Sequence, residues 1–421
     1  MIEASLFLNP WSDGEDRDVI LLNGHFILSV NFPVKKSGAK SLRSLKSLSD
    51  ALDISLSDLN TAINIPVNER YHRLEIPKVD GGKRVVFDPD HRIRKIQRRI
   101  NKRIFKELII WPDYLFGSIP TNKYDKENKI ERHYIACAAK HCKAKTILKL
   151  DIKNFFENIH RDVVVSIFAN VLKYKGDALN YLVDICCYND HIVQGALTSS
   201  YIASLCLFDV EYDVFRRVER KGLVYTRLVD DITISSKIVN YDMTQIKSHV
   251  ENMLNEKDLP INYKKTEVHN ISTEALTVHG LRVSFNEPRL ASDEVKRIKA
   301  SVHNIINLSR KNNSKTSEAY RIEYNRCMGR VNKLGRVGHN KYKHLLNVLK
   351  KIKPKASVLD LQSVYKLVVE LETLHRKSNV NEFIYKKKHD LAIFKLIVIN
   401  RTDSYKPFVE WIKGRLEKIK P

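Results

Sequence analysis

The sequence lacks long apolar runs and closely paired cysteines. No run approaches the roughly 20 apolar residues that a membrane-spanning helix needs. The first residues, MIEASLFLNPWSDGEDRDV, also lack the basic and then apolar pattern of a secretion signal. Six cysteines are scattered along the chain, and none belongs to a CxxC pair. These absences argue against membrane association and predict free thiols in a reducing cytoplasm.

Acidic residues are scarce relative to basic ones. The 421 residues include 73 Lys and Arg but only 49 Asp and Glu, which gives a formal net charge of +24 at pH 7. An excess of this size favours a polyanionic partner, and nucleic acid is the first candidate. A ribosome-associated or merely soluble basic protein would have a similar composition, so the motifs have to decide. The length allows two or three domains, or one enzyme with several lobes.

Two adjacent aspartates, Asp230 and Asp231, lie between short apolar runs in the segment YTRLVDDITIS. The alternating, β-branched flanks predict two strands that meet at a tight turn. A second strand-like run, TILKLD, ends upstream at Asp151. If these strands are neighbours in one sheet, the three carboxylates converge and can hold two Mg²⁺ ions roughly 3.5–4 Å apart. This arrangement is typical of in-line phosphoryl transfer by a nucleic-acid polymerase.

The segments LKLDIKNFFENI and YTRLVDDITIS resemble the first catalytic motif and the YxDD box of bacterial reverse transcriptases. The usual Tyr of that box is Leu228 here, so the aromatic ring that lines the primer end is missing. The resemblance implies an α+β fold of the right-hand polymerase type, with fingers, a palm on an antiparallel sheet, and an α-helical thumb. It also implies RNA-directed DNA synthesis from deoxynucleoside triphosphates, with two Mg²⁺ (or Mn²⁺) ions on Asp151, Asp230 and Asp231.

The segment from Tyr71 to Pro89 contains two alternating runs around a Gly-Gly pair, which predicts a β-hairpin. It resembles the fingers hairpin of the family, and in that role Lys78 and Arg84 would clamp the incoming triphosphate. A solvated basic hairpin is the alternative. The helix predicted over residues 90–110 has an apolar stripe of Ile93, Ile96, Ile100 and Phe105, and its basic face is expected to contact the template backbone.

Further nucleotide-binding residues follow from the resemblance. Phe156 would lie beneath the sugar and exclude a 2′-hydroxyl, which predicts a DNA product, although one of Phe155 and Phe156 must belong to the core. Ile152 joins the same set. Gln194 begins QGALTSS, which resembles the family pattern QGAPTSP with both prolines replaced, and Gly195 would allow close approach of a base pair. An apolar helix is predicted from Tyr201 to Val210.

Lys265 lies in NYKKT, which resembles the family's NPKKT. It is the candidate proton donor or electrostatic partner of the departing pyrophosphate. An ordinary surface lysine is the alternative, and the motif alone would favour it.

Two segments resemble motifs of retron enzymes only in part. The segment CAAKH keeps Ala138 and His141 of an NAxxH motif but has Cys137 for the Asn, and Val278-His279-Gly280 has His279 where the family has Thr. These matches place the chain among retron-like and defence-associated reverse transcriptases. His133, Cys137 and His141 share a helix face, but their spacing fits no common zinc site, so ordinary packing is favoured.

The predicted organisation has four parts: an N-terminal extension with a small strand pair and two Ser-initiated helices (1–65), fingers and palm (66–287), a helical thumb (288–355) and a basic helical C-terminal extension (356–421). The predicted partners are a noncoding RNA template or scaffold, the DNA product and its RNA–DNA duplex, and dNTPs. A homo-oligomer or a companion effector protein is also possible, and family analogy suggests a role in antiphage defence.

Three other functions stay open at this point. A group II intron maturase has the same core but usually a larger extension. An untemplated or protein-primed DNA polymerase, or a terminal transferase, would share every catalytic residue. An inactive RNA-binding scaffold is the third, although the presence of Asp151, Asp230, Phe156 and Arg84 argues against it.

Overall fold

The computed structural model describes residues 19–22, 25–28, 34–38, 40–77, 81–121, 131–376 and 382–421. The chain divides into two compact units, Met1–His279 and Gly280–Pro421. The four segment boundaries expected from the sequence stay a prediction.

The first unit is built on a five-stranded sheet. Its strand order is Glu267–Asn270, Thr146–Asp151, Asp231–Ser236, Val224–Leu228 and Leu115–Phe116. Three of the strand pairs are antiparallel, as predicted, whereas the edge strand Leu115–Phe116 runs parallel to Val224–Leu228. The two central strands are buried on both faces, which explains their runs of β-branched and aliphatic residues. The tight turn and the pairing of the Asp151 strand with the Asp231 strand are confirmed.

Two short helices, Leu45–Leu52 and Leu56–Ile63, begin as the sequence predicts at Ser44 and Ser55. The Ser44 hydroxyl accepts a hydrogen bond from the backbone N–H of Ser47, whose own side chain accepts one from the backbone of Ser44. The expected N-terminal strand pair is present as Val19–Leu22 and His25–Leu28.

The predicted hairpin consists of Tyr71–Pro77 and Lys83–Pro89, joined in antiparallel register. Arg84 lies on the second strand, whereas Lys78 lies outside the described residues. The basic helix His91–Ile100 follows and continues as a π-helical turn, Asn101–Phe105. Its predicted apolar stripe is buried.

The cations of the basic helix are largely engaged with neighbouring acids. Arg92 pairs with Asp90, Arg94 with Asp88, Lys95 with Asp58, and Arg99 with Asp53. A template contact by this face would therefore exchange existing ion pairs for phosphates.

The remaining helices of the first unit surround the sheet. They are Lys106–Leu108, Tyr134–Lys140, Arg161–Ser166, Gly176–Cys186, Ser199–Leu205, Glu211–Arg220 and Thr244–Asn255, with a π-helical turn at Ile167–Val171 and 3₁₀ turns at Val67–Glu69 and Tyr263–Lys265. Short strands lie at Lys35–Lys36, Ile109–Ile110 and Thr277–Val278. The apolar helix predicted from Tyr201 to Val210 instead spans Ser199–Leu205, because its last turns close as i to i+3 bonds at Phe208 and Val210.

The second unit is helical after a short hairpin, Leu281–Arg282 with Arg289–Leu290. Its helices are Ser292–Ser309, Glu318–Arg336, Tyr342–Lys351, Val358–His375, Glu382–Ile399 and Lys406–Glu417, with 3₁₀ turns at Ser314–Thr316 and Asp403–Tyr405. The predicted thumb segment and C-terminal extension are joined within this unit, because Arg321 binds Asp360 through two hydrogen bonds of 2.8 and 2.6 Å. None of the described helices is long and apolar enough to cross a membrane.

Candidate active site

The structure brings the three predicted aspartates to one end of the central strand pair. Asp231 is the direct cross-strand partner of Asp151, the last residue of its strand. The backbone N–H of Ile152 donates to the carbonyl of Asp230 at 3.3 Å, which ties the turn to the end of the neighbouring strand. The predicted convergence of these residues therefore follows from strand register rather than from flexible loops.

The turn that carries Asp230 is strained. Leu228 pairs with Asp231, so only Val229 and Asp230 form the loop, and Val229 has a φ of 61°. A β-branched residue in this left-handed region costs roughly 1–2 kcal/mol. Space for its side chain comes from Gly117, where a Cβ atom would lie 3.0 Å from Cγ2 of Val229. The surrounding structure must hold this turn in place.

Arg227 supports the turn from below. Its guanidinium donates to the carbonyl of Val229 at 3.1 Å and to both carboxylate oxygens of Glu211 at 2.6 and 2.8 Å. Both side chains are essentially inaccessible, with 0% and 2% exposure. Burial alone would lower the pKa of Arg227, but the Glu211 carboxylate overcomes this and raises it. The pair is therefore a buried ion pair that supports the turn carrying Asp230.

Sequence reasoning missed this pair. In the segment YTRLV, an arginine within an alternating strand is expected to point to solvent, and Arg227 gave no other sign. A usable signal was present in Glu211, an acid that follows a largely apolar segment and begins an amphipathic helix.

The aspartates perturb one another electrostatically. Burial raises the pKa of Asp230, and the Asp151 carboxylate adds to this, while the charges of Lys265 and Arg84 oppose it. Burial and the carboxylates of Asp230 and Asp151 raise the pKa of Asp231 to about 6. A cation bound between such clustered carboxylates would favour their ionised forms and reduce the repulsion between them.

Asp151 is neutralised by the protein itself. Nζ of Lys265 donates to Oδ1 of Asp151 at 3.0 Å, and the Asn262 side-chain amide donates to Oδ2 at 2.9 Å. The hydrogen bond to Asp151 raises the pKa of Lys265. Within the described residues, no three His, Cys, Asp or Glu side chains are already arranged around a single metal position. The oxygen ligands nevertheless suit a hard divalent ion, and the Lys265 ammonium occupies the place of a cation on Asp151.

The structure describes every nucleotide-binding candidate except Lys78. Arg84 is exposed on its hairpin strand, and its charge acts on the pKa of Asp230. Ile152 is buried at the end of the Asp151 strand. Phe155 is buried in the core, whereas Phe156 is half-buried at its border. Of these two rings, Phe156 is therefore the one with a surface available to a sugar.

The Gln194 loop packs against the hairpin. The N–H of Phe87 donates to the carbonyl of Gln194 at 2.8 Å. Gly195 has a φ of 114°, and a Cβ atom there would lie 2.3 Å from the carbonyl oxygen of Phe87. Glycine is thus required for contact with the hairpin, whereas approach to a base pair stays a prediction.

Two amides on the basic helix fix the same loop, and sequence reasoning did not find them. Oε1 of Gln97 accepts from the N–H of Leu197 at 3.0 Å, and Nδ2 of Asn101 donates to the carbonyl of Leu197 at 2.7 Å. These bonds hold a loop that lacks the two prolines of the family pattern. Both residues adjoin the apolar stripe of the helix, where a polar side chain is a signal of a buried hydrogen bond.

His133, Cys137 and His141 do not form a metal site in this structure. His133 caps the helix Tyr134–Lys140 and contacts Glu131. Cys137 and His141 are buried among hydroxyl groups instead. Burial raises the pKa of the Cys137 thiol to about 12 and lowers the pKa of His141 to about 3, so both are neutral near pH 7.

Comparisons with known proteins show what the whole chain is similar to. Residues 76–296 match the family described as reverse transcriptase (RNA-dependent DNA polymerase). The chain is 53% identical over 400 residues to the Retron Ec48 reverse transcriptase of Escherichia coli. The aligned region covers 95% of this chain and 98% of that protein. It is 32% identical over 377 residues to the Retron Se72 reverse transcriptase of Salmonella heidelberg (86% of this chain, 92% of that protein).

A telomerase from Candida tropicalis, solved in its apo form, is similar at 11% identity with a TM-score of 0.39, over 82% of this chain and 68% of that one. The family match includes the strands that carry all three aspartates, and the two retron relatives extend the similarity over most of the chain. The chain therefore belongs to the bacterial retron-type reverse transcriptases, and it is an RNA-directed DNA polymerase.

Proposed function

We propose that this reverse transcriptase synthesises DNA with two Mg²⁺ ions held by Asp151, Asp230 and Asp231, on a dedicated noncoding RNA template. The observation that carries the metal assignment is the register of Asp151 opposite Asp231, with Asp230 in the adjoining turn. The family uses divalent metal ions, and oxygen-only ligands favour Mg²⁺ or Mn²⁺. Such a pair of ions would activate the primer hydroxyl and stabilise the leaving pyrophosphate.

The protein side chains supply positioning and charge. Lys265 would leave the Asp151 carboxylate when the ions bind, and its released ammonium would then face the pyrophosphate as a proton donor or counter-charge. Its side chain is 65% exposed, so the change needs no rearrangement of the core. Arg84, together with Lys78, would hold the triphosphate. Phe156 would lie beneath the sugar and, together with Ile152 and Gln194, would select a deoxyribonucleotide.

Template and product binding rest on the positive charge of the chain. The lysines and arginines that give the net charge of +24 are spread along the whole chain. They can bind the phosphate backbones of RNA and DNA. The pair of Lys95 with Asp58 on the basic helix is exposed, and an exposed pair is worth about 0–1 kcal/mol, so a phosphate can replace the acid there. The Mg²⁺ count, the noncoding RNA, a cytoplasmic location and a role in antiphage defence all belong to this proposal.

The test is to sequence the nucleic acids that copurify with the wild-type protein and with Asp230→Asn/Asp231→Asn. Asp177→Asn/Asp213→Asn is a matched control, because it removes two exposed carboxylates from the first turns of other helices. We expect one discrete RNA in all three samples, and DNA complementary to that RNA only in the wild type and the control.

Two results would contradict the proposal. DNA without a complement in the bound RNA would indicate untemplated or protein-primed synthesis. Complementary DNA in the Asp230→Asn/Asp231→Asn sample would show that these aspartates do not carry the reaction.

A further inference from the structure

A continuous line of polar side chains connects the buried His141 to Asp231 in the metal-binding turn. His141 lies between two hydroxyl groups: Nδ1 is 2.7 Å from Ser235 Oγ, and Nε2 is 2.7 Å from Thr226 Oγ1. The Sγ atom of Cys137 is 3.3 Å from Thr226 Oγ1 and 3.3 Å from Nε2 of His279. The final contact joins Nδ1 of His279 to Oδ2 of Asp231 at 3.7 Å. All but the last are within hydrogen-bonding distance. The last is longer than a hydrogen bond.

The neighbours of His279 determine which of its nitrogens carries the hydrogen. Asp231 as a carboxylate can only accept, so Nδ1 of His279 must carry the hydrogen that faces it. Nε2 of a neutral His279 then accepts, and among the described residues the Cys137 thiol is placed to donate to it. The thiol also lies within donating distance of the Thr226 hydroxyl, so its single hydrogen can serve either acceptor.

The backbone holds His279 in position for this contact. His279 has a φ of 49° and Gly280 a φ of 78°, so the two residues form a left-handed turn directly after the strand Thr277–Val278. A left-handed conformation is costly for a non-glycine residue and persists only where the surroundings impose it. The imidazole is also only 12% exposed. Its orientation is therefore set by the turn on one side and by Cys137 on the other.

Cys137 and His279 also stand at the two positions where this chain departs from the NAxxH and VTG patterns described above, and the fold brings these two departures into contact. A thiol and an imidazole suit each other here, because a neutral thiol donates one hydrogen and a neutral imidazole accepts one. Neither residue had a role in the reaction assigned above.

We propose that His279, oriented by Cys137, is a positioning residue that fixes the Asp231 carboxylate for metal binding. This inference rests on the proposed function, since it assumes that Asp231 is a metal ligand. His279 touches neither metal nor substrate in this role. It holds one carboxylate oxygen in place so that the other is presented to the ion, as partners of metal ligands commonly do.

The test is direct titration of the full-length protein with Mn²⁺, followed by electron paramagnetic resonance of the free ion. This readout requires neither template nor turnover. The variants are His279→Ala, Cys137→Ala, Cys137→Ser and the double variant His279→Ala/Cys137→Ala. Cys327→Ala is the matched control, because it removes a buried sulfur from the other compact unit. A melting temperature is recorded for each protein so that binding is compared between folded samples.

We expect His279→Ala to weaken Mn²⁺ binding about tenfold, at the lower end of the range for partners of metal ligands. Cys137→Ala should weaken it less, and Cys137→Ser should bind as the wild type does, because the hydroxyl keeps the donor to His279. The double variant should equal His279→Ala, because Cys137 acts only through the imidazole. A role in packing alone would instead leave the Mn²⁺ affinity of the folded protein unchanged in both single variants.

The outcomes separate this inference from the proposed function. Asp230→Asn/Asp231→Asn should abolish Mn²⁺ binding at this site, and if it binds as tightly as the wild type, the proposed metal site is wrong. If that variant loses binding while His279→Ala retains wild-type affinity, only the positioning role is overturned. Equal effects of Cys137→Ser and Cys137→Ala would overturn the orienting role of the thiol.

Discussion

The buried pair of Arg227 and Glu211 offers a sharp test of how the turn that carries Asp230 is held. Replacing Arg227 with Met removes the guanidinium but leaves the Glu211 carboxylate, which is 2% exposed, without its charge partner. Breaking a buried pair from one side costs about 3–5 kcal/mol, because the remaining charge is stranded. The bond from Arg227 to the Val229 carbonyl is lost at the same time, so the strained turn loses its support.

A second substitution separates the stranded charge from the lost support. In Arg227→Met/Glu211→Leu both charges are absent, and burial of apolar groups should recover most of the lost stability. The double variant should still lack the bond to Val229, so nucleotide incorporation should stay low although the fold is restored. Arg216→Met is the matched control, because Arg216 lies on the same helix as Glu211 and its pair with Glu219 is exposed, worth about 0–1 kcal/mol.

Hydrogen–deuterium exchange of the strands Val224–Leu228 and Asp231–Ser236 is the suitable assay, since the chain contains two compact units and a single unfolding transition is not guaranteed. We expect protection of these strands to fall about 150- to 5,000-fold in Arg227→Met, which corresponds to the loss of 3–5 kcal/mol. Arg216→Met should change it by less than about tenfold. If Arg227→Met and Arg216→Met lose the same protection, the buried pair is not what holds the turn.

Three further predictions follow from the site. Gly195→Ala should detach the Gln194 loop from the hairpin, because its Cβ would lie 2.3 Å from the Phe87 carbonyl oxygen. Gly222→Ala is the control, because Gly222 also has a positive φ but open space around it, and it should lose only about 1 kcal/mol of stability. An equal loss of stability in the two variants would contradict the prediction. Phe156→Ala should raise the ratio of ribonucleotide to deoxyribonucleotide incorporation about 10- to 100-fold in single-nucleotide extension assays, and an unchanged ratio would remove Phe156 from sugar selection. The pKa of Asp231 is raised to about 6, so protonation stabilises the metal-free fold below about pH 4 and this stabilisation is lost as the pH rises through about 6. Asp231→Asn should therefore raise the melting temperature of the metal-free protein near pH 7.5 but not near pH 4. If the melting temperatures of variant and wild type differ by the same amount at both pH values, the pKa of Asp231 is not raised in the fold.

The parts of the fold that the sequence predicts are those governed by short-range patterns. The strands around Asp230 and Asp231 alternate, the first helices begin at capping serines, and the Gly-Gly pair marks the hairpin. Each of these signals depends on the chemistry of a few neighbouring residues, so it survives without tertiary information. The pairing of the Asp151 strand with the Asp231 strand is a long-range contact, and the resemblance of the motifs was needed to infer it.

The contacts that sequence reasoning missed are those in which tertiary structure reverses a local expectation. Arg227 and Gln97 are polar residues on elements whose pattern would place them at the surface, yet both are fully buried. They are tolerated because partners distant in sequence satisfy them, namely Glu211 for the guanidinium and the loop at Leu197 for the amide. A single sequence does not show which distant acid or backbone group will arrive at such a residue.

The NYKKT motif resembles the family pattern closely, but it does not reveal the contacts that Lys265 makes in the folded chain. The segment NYKKT identified Lys265 as a catalytic candidate, but its ion pair with Asp151 is visible only when the strand and the 3₁₀ turn Tyr263–Lys265 are placed together. In the absence of metal, this ammonium compensates one carboxylate while Asp230 and Asp231 repel each other. Under the proposed function, metal binding and release of Lys265 would therefore be coupled. The coupling predicts that Lys265→Met should bind Mn²⁺ more tightly than the wild type, although it lacks the charge that we assign to pyrophosphate departure. Weaker binding of Mn²⁺ by Lys265→Met in the same titration would show instead that the lysine organises Asp151 for the ion.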